Sequence, residues 1–471
     1  MFDPRPPHER AEERILLRLF LYMIKLPEDV KKIISLLGRA GFEAYVVGGC
    51  VRDSLLGREP SDWDITTSAL PHQVKEVFRR TIDTGIKHGT VTVRMNGKSY
   101  EVTTYRVDGK YTDGRHPDEV RFSPSLLEDL KRRDFTINAM AYNDASGVID
   151  LFGAQRDLEN GIVRCVGNPR ERFFEDSLRM LRAIRFAALL SFKIEERTFT
   201  AIRTLAYGLS RVSEERIATE LMKIILSDHP DYLRKAYEAG LTKIFLPEFD
   251  RMMQTIQNTP HHMYTVGEHT LHVMMNVKAE RVLRLAALLH DVAKPVTRKV
   301  DENGRDHFTG HPEVGAGMAE DILRRLRFDN ATIEDTARLV RFHDARVPVT
   351  KKNIRRQIAR VGMEHYGDLL TLRRADILAQ SDYQRKEKLL ELDNTEKLYE
   401  EIKGEMAPVT LKDLAVSGGD IIEAGVEKGP VTGRVMKRLL KDVIDDPSLN
   451  TREELIKRAL SYYEEETEEK K

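Results

Sequence analysis

Two carboxylates two residues apart, in Ser61-Asp62-Trp63-Asp64-Ile65, are the first groups in this chain whose types and spacing could do chemistry. A period of two predicts a strand with Asp62 and Asp64 on one face and Trp63 and Ile65 on the other. Like charges held this close repel unless a cation lies between them. Mg2+ suits the pair, because it prefers hard oxygen donors and is often held by one or two carboxylates plus substrate phosphates. Upstream, Gly48-Gly49-Cys50-Val51-Arg52-Asp53 reads as a strand-to-helix turn whose backbone N–H groups would face a triphosphate. Glu101 is a candidate third acid. It lies on a hairpin predicted around Asn96-Gly97, a pair suited to the positive φ angles of a type I′ turn. Pairing about that turn sets Val91, Val93, Tyr100 and Val102 on one face and Glu101 on the other. Each fragment alone has a plainer reading, Asp-x-Asp as a solvated turn or cap and Gly-Gly as turn geometry. Their combination points to metal and phosphate.

A second set of groups lies in the other half: His269, His290-Asp291, Lys294, His311, His343-Asp344 and Asp376. A lone helical histidine is usually structural. Four histidines and three aspartates, separated by apolar helical sequence such as Leu283 to Leu289, predict ligands brought from different helices to one centre. Mixed imidazole and carboxylate donors admit Mn2+, Fe2+, Ni2+ or Mg2+.

The elements that must position these groups differ between the two ends. Pro27 opens an amphipathic helix (Val30, Ile33, Ile34, Leu37) that stops at Gly41, a short strand covers Ala44 to Val47, and the hairpin follows, so the first 150 residues read as α/β or α+β. From Glu171 onward helical periods dominate. The stretch Phe249 to Met263, with Asn258-Thr259-Pro260, marks a boundary between two helical regions. We expect an N-terminal extension at 1–25, a head at 26–152, a helical neck and body at 153–255, a metal-binding domain at 256–380 and a helical tail at 381–471.

The 76 basic and 76 acidic side chains cancel, which argues against nonspecific wrapping of long nucleic acid but leaves room for a local basic groove. Cys50 and Cys165 are too few for a disulfide framework or a cysteine-based zinc site, and a reducing cytoplasm fits. The apolar run Ile15 to Ile24 is broken by Arg18 and is about half the length of a membrane span. It reads as neither signal nor anchor, and residues 1–22 read as an extension or a misplaced start.

Three runs, Tyr45 to Gly57, Ser61 to Thr67 and Arg132-Arg-Asp-Phe-Thr-Ile-Asn-Ala-Met-Ala, together resemble the class II tRNA nucleotidyltransferase and bacterial poly(A) polymerase family over roughly the first 190 residues. The resemblance implies a head related to DNA polymerase β, with two Mg2+ ions on Asp62 and Asp64 that activate a primer 3′-hydroxyl and steady the leaving pyrophosphate. It implies nucleotide contacts from Gly48, Gly49, Arg52, Arg132, Arg133, Asp134, Asn138, Asp176, Arg179 and Arg182, with Asn138 expected on a helix that follows Asp134. Asp176 and Arg179 are expected on one face of a helix running from Glu175 through Arg182. Cytosine and adenine both present an amine donor beside a ring-nitrogen acceptor, so a carboxylate and a guanidinium would match them and reject uracil and guanine. A surface ion pair is the plainer reading of Asp-x-x-Arg.

The family ties a flexible element in the place of Arg106 to Asp118 to the switch from C to A addition. The arginine-rich signature usual in poly(A) polymerases is not found after Asp64. CCA addition to tRNA from CTP and ATP is therefore expected over polyadenylation or CC- or A-only addition. Residues 262–380 resemble the HD superfamily of metal-dependent phosphohydrolases. This implies His269, His290, Asp291 and Asp376 as core ligands, His311 and His343 for a second metal, and Lys294 toward a phosphate. A substrate such as a damaged 2′,3′-cyclic RNA end is inferred from domain company. Arg434, Lys437, Arg438 and Lys441 lie at helical spacing in the tail, as tRNA contacts or as a solvated face. Stringent-response enzymes, the rival from another class, join the same two chemistries in the opposite order. A binding protein with dead sites would not need like-charged pairs. Oligomeric state is not legible.

Overall fold

A computed structural model describes residues 24–109, 120–405 and 408–468. All but the last residues of the expected extension and of its apolar run, and most of the loop from Arg106 to Asp118, lie outside them. The chain divides into two compact units between Phe245 and Leu246.

The first unit opens with the helix Glu28–Arg39, which buries Val30, Ile33 and Leu37. Its strands are β1 (Ala44–Val47), β2 (Ile65–Thr67), β3 (Thr81–Gly85), β4 (Thr90–Met95), β5 (Lys98–Thr104), β6 (Arg106–Asp108), β7 (Val120–Phe122), β8 (Met140–Asn143) and β9 (Gly147–Asp150). Seven of these form one sheet in the order β3-β4-β5-β2-β1-β8-β9, and β6 pairs with β7 apart from it. Only β2 and β5 run parallel within the seven-stranded sheet. The hairpin has the expected register, with Val91 opposite Val102 and Val93 opposite Tyr100. Asn96 and Gly97 take φ of 48° and 80°, as a type I′ turn requires. Val91, Val93, Tyr100 and Val102 are buried and the helices Glu28–Arg39 and Pro71–Val77 pack on the sheet, whereas Glu101 is exposed on the opposite face.

Three local expectations are corrected. Asp62 and Asp64 precede strand β2, which begins at Ile65, and the Asp64 carbonyl accepts a hydrogen bond from Val47 N–H. Asn138 ends a 3-10 turn, Thr136–Asn138, where a helix was expected. The helix through Glu175 and Arg182 is two helices, Pro169–Glu175 and Leu178–Leu190, broken at Asp176, whose φ of −142° and ψ of 104° are extended. The Asp176 carboxylate then accepts the Leu178 backbone N–H at 3.1 Å, capping the second helix.

That second helix buries ten of its thirteen residues and packs along Glu214–Ile225, forming the core of the neck. The region after Glu171 is helical apart from Lys193–Ile194, which pairs back with Ile162–Val163, and the pairing of Lys299–Val300 with Asp306–His307. In the second unit the helix Arg281–Leu289 buries Leu283, Leu285, Leu288 and Leu289. At roughly 1.5–3 kcal/mol for each buried leucine, this anchors the site that begins at the next residue. Gly267 lets helix Val266–Met275 meet helix Pro247–Gln254, since a Cβ there would lie 2.6 Å from the Met253 backbone nitrogen. The tail has its own apolar cluster around Ile421, Leu439 and Leu455.

Candidate catalytic centres

In the first unit, the parallel register of Ile65 with Val102 sets the residues before them, Asp64 and Glu101, side by side on the open face of the sheet. Burial, then the charge of Asp62 and that of Glu101, push the Asp64 carboxyl above its ordinary range, with Arg133 partly opposing them. Asp62 and Glu101 are thus near enough for their charges to act on Asp64, with Arg133 as counter-cation, and carboxylates so placed suit a divalent ion. Trp63, half-buried, sits between the two aspartates in the chain. Cys50 lies beneath: burial, then Asp64, raise its thiol to about 12.

The glycine turn adjoins this group. Gly48 takes φ 81° and ψ −130°, open only to glycine, and Gly49 starts the helix Gly49–Leu55. A Cβ on Gly48 would lie 3.0 Å from Arg133 Nη1, so the missing side chain is what admits that guanidinium. Arg132 and Arg133 both donate to fully buried Asp129, at 2.7 and 3.3 Å. Burial works against the charge on Asp129, but the two arginines hold its carboxyl below the ordinary range.

A second network links the turn to the neck helix. Arg52 donates to Asn138 Oδ1 at 2.6 Å, Asn138 donates to Asp134 Oδ1 at 3.1 Å, and Arg182 donates to Asp134 Oδ2 at 2.5 and 2.9 Å. Burial alone would raise the Asp134 carboxyl; Arg182 overrides it and brings it down to about 2. Arg52, Arg182 and Arg185 stand over the Phe186 ring. Asp176 and Arg179 do not pair with each other. Asp176 accepts from Arg216 at 2.8 Å, and Arg179 donates to Glu175 at 2.6 Å and to the Arg132 carbonyl at 3.4 Å. Glu175, Arg216 and Phe186 were not singled out from the sequence, because their partners lie on other elements or other turns.

In the second unit, His269, His290 and Asp291 present ligand atoms within 4.8 Å of one another, as do Asp291, His311 and His343. All five residues are buried. Asp376 Oδ1 lies 2.9 Å from His269 Nε2, beside the first group. The Nδ1 atoms of His290, His311 and His343 lie 2.9, 2.8 and 2.7 Å from the carbonyls of Ala287, Phe308 and Val340. A carbonyl only accepts, so each Nδ1 is protonated and each Nε2 turns a lone pair toward the centre. His290 Nε2 is buried with no hydrogen-bond partner. An orphaned imidazole lone pair beside carboxylates fits a bound divalent metal. Lys294 reaches Asp291 at 2.8 Å and Gln257 at 2.9 Å. Burial opposes the charge of Asp291, but His290 and Lys294 hold its carboxyl well below the usual range.

A cavity of about 330 Å³ opens on these ligands, and His261, His262, Arg346, Gln380 and Lys388 also line it. The sequence carried no spacing signal for these five. Lys388 contacts His261 Nδ1 at 3.0 Å and donates to Gln380 at 2.6 Å, and Gln380 donates to Asp376 at 3.0 Å. Burial, then Lys294 and His269, lower His262 to about 2, so it is neutral. In the tail, Arg434 and Arg438 pair with Glu466 and Glu465 at 2.6 Å each.

Residues 44–164 match the family described as the poly(A) polymerase head domain, 191–253 the one described as a probable RNA- and SrmB-binding site of polymerase A, and 260–383 the HD domain. The CCA-adding enzyme of Ligilactobacillus salivarius is 51% identical over 208 residues, a stretch that spans 44% of this chain and about half, 52%, of that protein. The CCA-adding enzyme of Streptococcus thermophilus is 34% identical over 441 residues, 92% of this chain and 96% of that protein. The chain belongs to the CCA-adding enzyme family. A crystal structure of the Bacillus stearothermophilus CCA-adding enzyme in complex with CTP has the same fold, with a TM-score of 0.70 and 30% identity over 93% of this chain and 98% of that one. The architecture expected from the sequence, a nucleotidyltransferase head followed by helical neck, HD and tail regions, is thus that of a CCA-adding enzyme. No helix among the described residues is long and apolar enough to cross a membrane.

Proposed function

We propose that this chain adds CCA to the 3′ ends of tRNA, without a template, from CTP and ATP, in the cytoplasm. The observation that carries the reading is that Asp64 feels the charges of Asp62, Glu101 and Arg133, and that Arg133 lies against the Gly48 turn. Asp62 and Asp64, with Glu101 nearby, would hold Mg2+; when bound, it lowers the cost of charge on the attacking and leaving oxygens of an in-line displacement. The chain's own residues do the rest. The Gly48 turn and Arg133 receive the triphosphate. Asp134, Asn138, Arg52 and Arg182 form the wall of the nucleotide pocket, and their mutual hydrogen bonds fix it before substrate arrives. Asp176 and Arg179 select the base by accepting from the exocyclic amine and donating to the ring nitrogen. Glu175 and Arg216 hold them, so that uracil or guanine would leave buried polar groups unpaired. The reading rests on modules at 26–152 and 153–255 for transfer, 256–380 for hydrolysis and 381–471 for further tRNA contacts.

The second centre supports metal-dependent phosphoester hydrolysis. His269, His290, Asp291 and Asp376, with His311 and His343, would hold one or two divalent ions, which when bound activate water and polarise a phosphate. Lys294, Lys388 and Arg346 line the same cavity and balance an anionic substrate.

Incubation with Mg2+ and a tRNA transcript lacking CCA, with CTP, ATP or both, decides the product at single-nucleotide resolution. Growth by three nucleotides with both, and a stop there, is expected. A stop after two would make this a CC-adding enzyme, and a long A ladder a poly(A) polymerase.

A further inference from the structure

Thr92 and Arg94 lie on the face of β4 opposite Val91 and Val93, which is the face that carries Glu101, the partner of Thr92 on β5. Ile82 of the edge strand β3 pairs with Thr92, and the Arg94 N–H donates to the Arg80 carbonyl at 2.9 Å, which continues that register. Arg80 and Arg94 are therefore cross-strand neighbours on the open face. With Arg79 and Ile82 they border an open cavity of about 410 Å³. All three arginines are exposed, and Ile82 is 47% exposed.

These cations stand together, and unlike the paired arginines of the unit none of them meets an acid among the described residues. Arg52, Arg164, Arg182 and Arg216 are answered by Asp53, Asp157, Asp134 and Asp176. Arg79, Arg80 and Arg94 have no ion pair among the described residues. The acid nearest along β3, Asp83, is taken by Lys75 at 3.0 Å. In a chain with as many acids as bases, three guanidiniums at one place without an acid among the described residues suit an anionic partner.

Sheet order gives the direction. Across β3-β4-β5-β2-β1 the open face runs from Arg80 and Arg94, past Glu101, to Asp62 and Asp64, and then to Gly48 with Arg133. Two strand spacings, about 10 Å, separate the Arg94 strand from the strand that follows the aspartates. In-line nucleotidyl transfer needs the entering hydroxyl and the leaving pyrophosphate on opposite sides of the reacting phosphorus. With the triphosphate at Gly48 and Arg133, the entering strand comes from the side of β4 and β3. We propose that Arg80 and Arg94, aided by Arg79, bind backbone phosphates of the RNA strand being extended, and that Ile82 offers that strand an apolar contact. This rests on the nucleotidyl-transfer reading above.

The test compares the wild-type chain with R80Q/R94Q in binding a tRNA transcript lacking CCA over a range of KCl concentrations, and in binding CTP alone. The variant is expected to bind tRNA roughly tenfold or more weakly at low salt. Its slope of log affinity against log salt should fall by about two, one for each lost phosphate contact, while CTP affinity stays within about twofold. A wild-type slope in the variant overturns the proposal. If CTP binding also weakens, R80K/R94K decides: recovery of the salt slope supports the site, and failure to recover it overturns it. Failure of the wild-type chain to extend the transcript removes the reading beneath; extension by the wild type with an unchanged slope in the variant removes this site alone.

Discussion

Asp134 holds a full charge in an almost solvent-free position because Arg182 and Asn138 answer both of its oxygens. Its carboxyl is depressed from 3.8 to about 2, so the folded state releases this proton more readily than the unfolded chain. The stabilisation is complete above about pH 4 and is lost as pH falls toward 2. A shift of this size corresponds to about 2 kcal/mol. Asp134→Asn should therefore lower the stability of the first unit by about 2 kcal/mol or more at pH 7, by urea unfolding, with the gap to wild type closing between about pH 4 and pH 2. Little of this network was legible in the chain. Arg-Arg-Asp stood out as a motif, but the tie from Asp134 to Arg182 spans 48 residues and has no periodic signature. His261 and Lys388, 127 residues apart, meet for the same tertiary reason. The histidine and aspartate set was easier to see, because helices with clear apolar spacing, such as Arg281–Leu289, run into or carry its members.

Helix and strand ends decide how the first centre is assembled. The hairpin was readable to the residue, since Asn96-Gly97 meets a demand for two positive φ angles that few pairs satisfy. The break at Asp176 was not, because Glu175-Asp176-Ser177-Leu178 contains no glycine or proline; a side-chain cap and the Arg216 ion pair hold it. The start of β2 was missed because backbone pairing, rather than residue type, sets where it begins. The Gly48 turn gives the sharpest test at this scale. Gly48→Ala forces a side chain into φ 81° and onto Arg133, and should cost about 1–3 kcal/mol while raising the KM for CTP. Gly49→Ala is the control, with only Arg52 Nη2 nearby at 3.7 Å, and should leave stability nearly unchanged. Equal losses in thermal melts and CTP titrations of the two variants would contradict this account of the turn.

The two centres lie in separate compact units with separate cores, so each should fail alone. Asp64→Ala is expected to reduce CCA addition by a factor of about 10³ or more, leaving metal uptake at the histidine centre intact. Asp291→Ala should abolish that uptake, followed by elemental analysis after exposure to Mn2+, and keep CCA addition within about twofold. Loss of both properties in either variant would show that the units depend on one another. The chain also carries its own reporter for the head. Trp63 is its single tryptophan and is set between Asp62 and Asp64. Selectively excited indole emission from the whole 471-residue chain therefore arises at one place, so that cation or nucleotide arrival at the head can be followed by its polarity and quenching without any label.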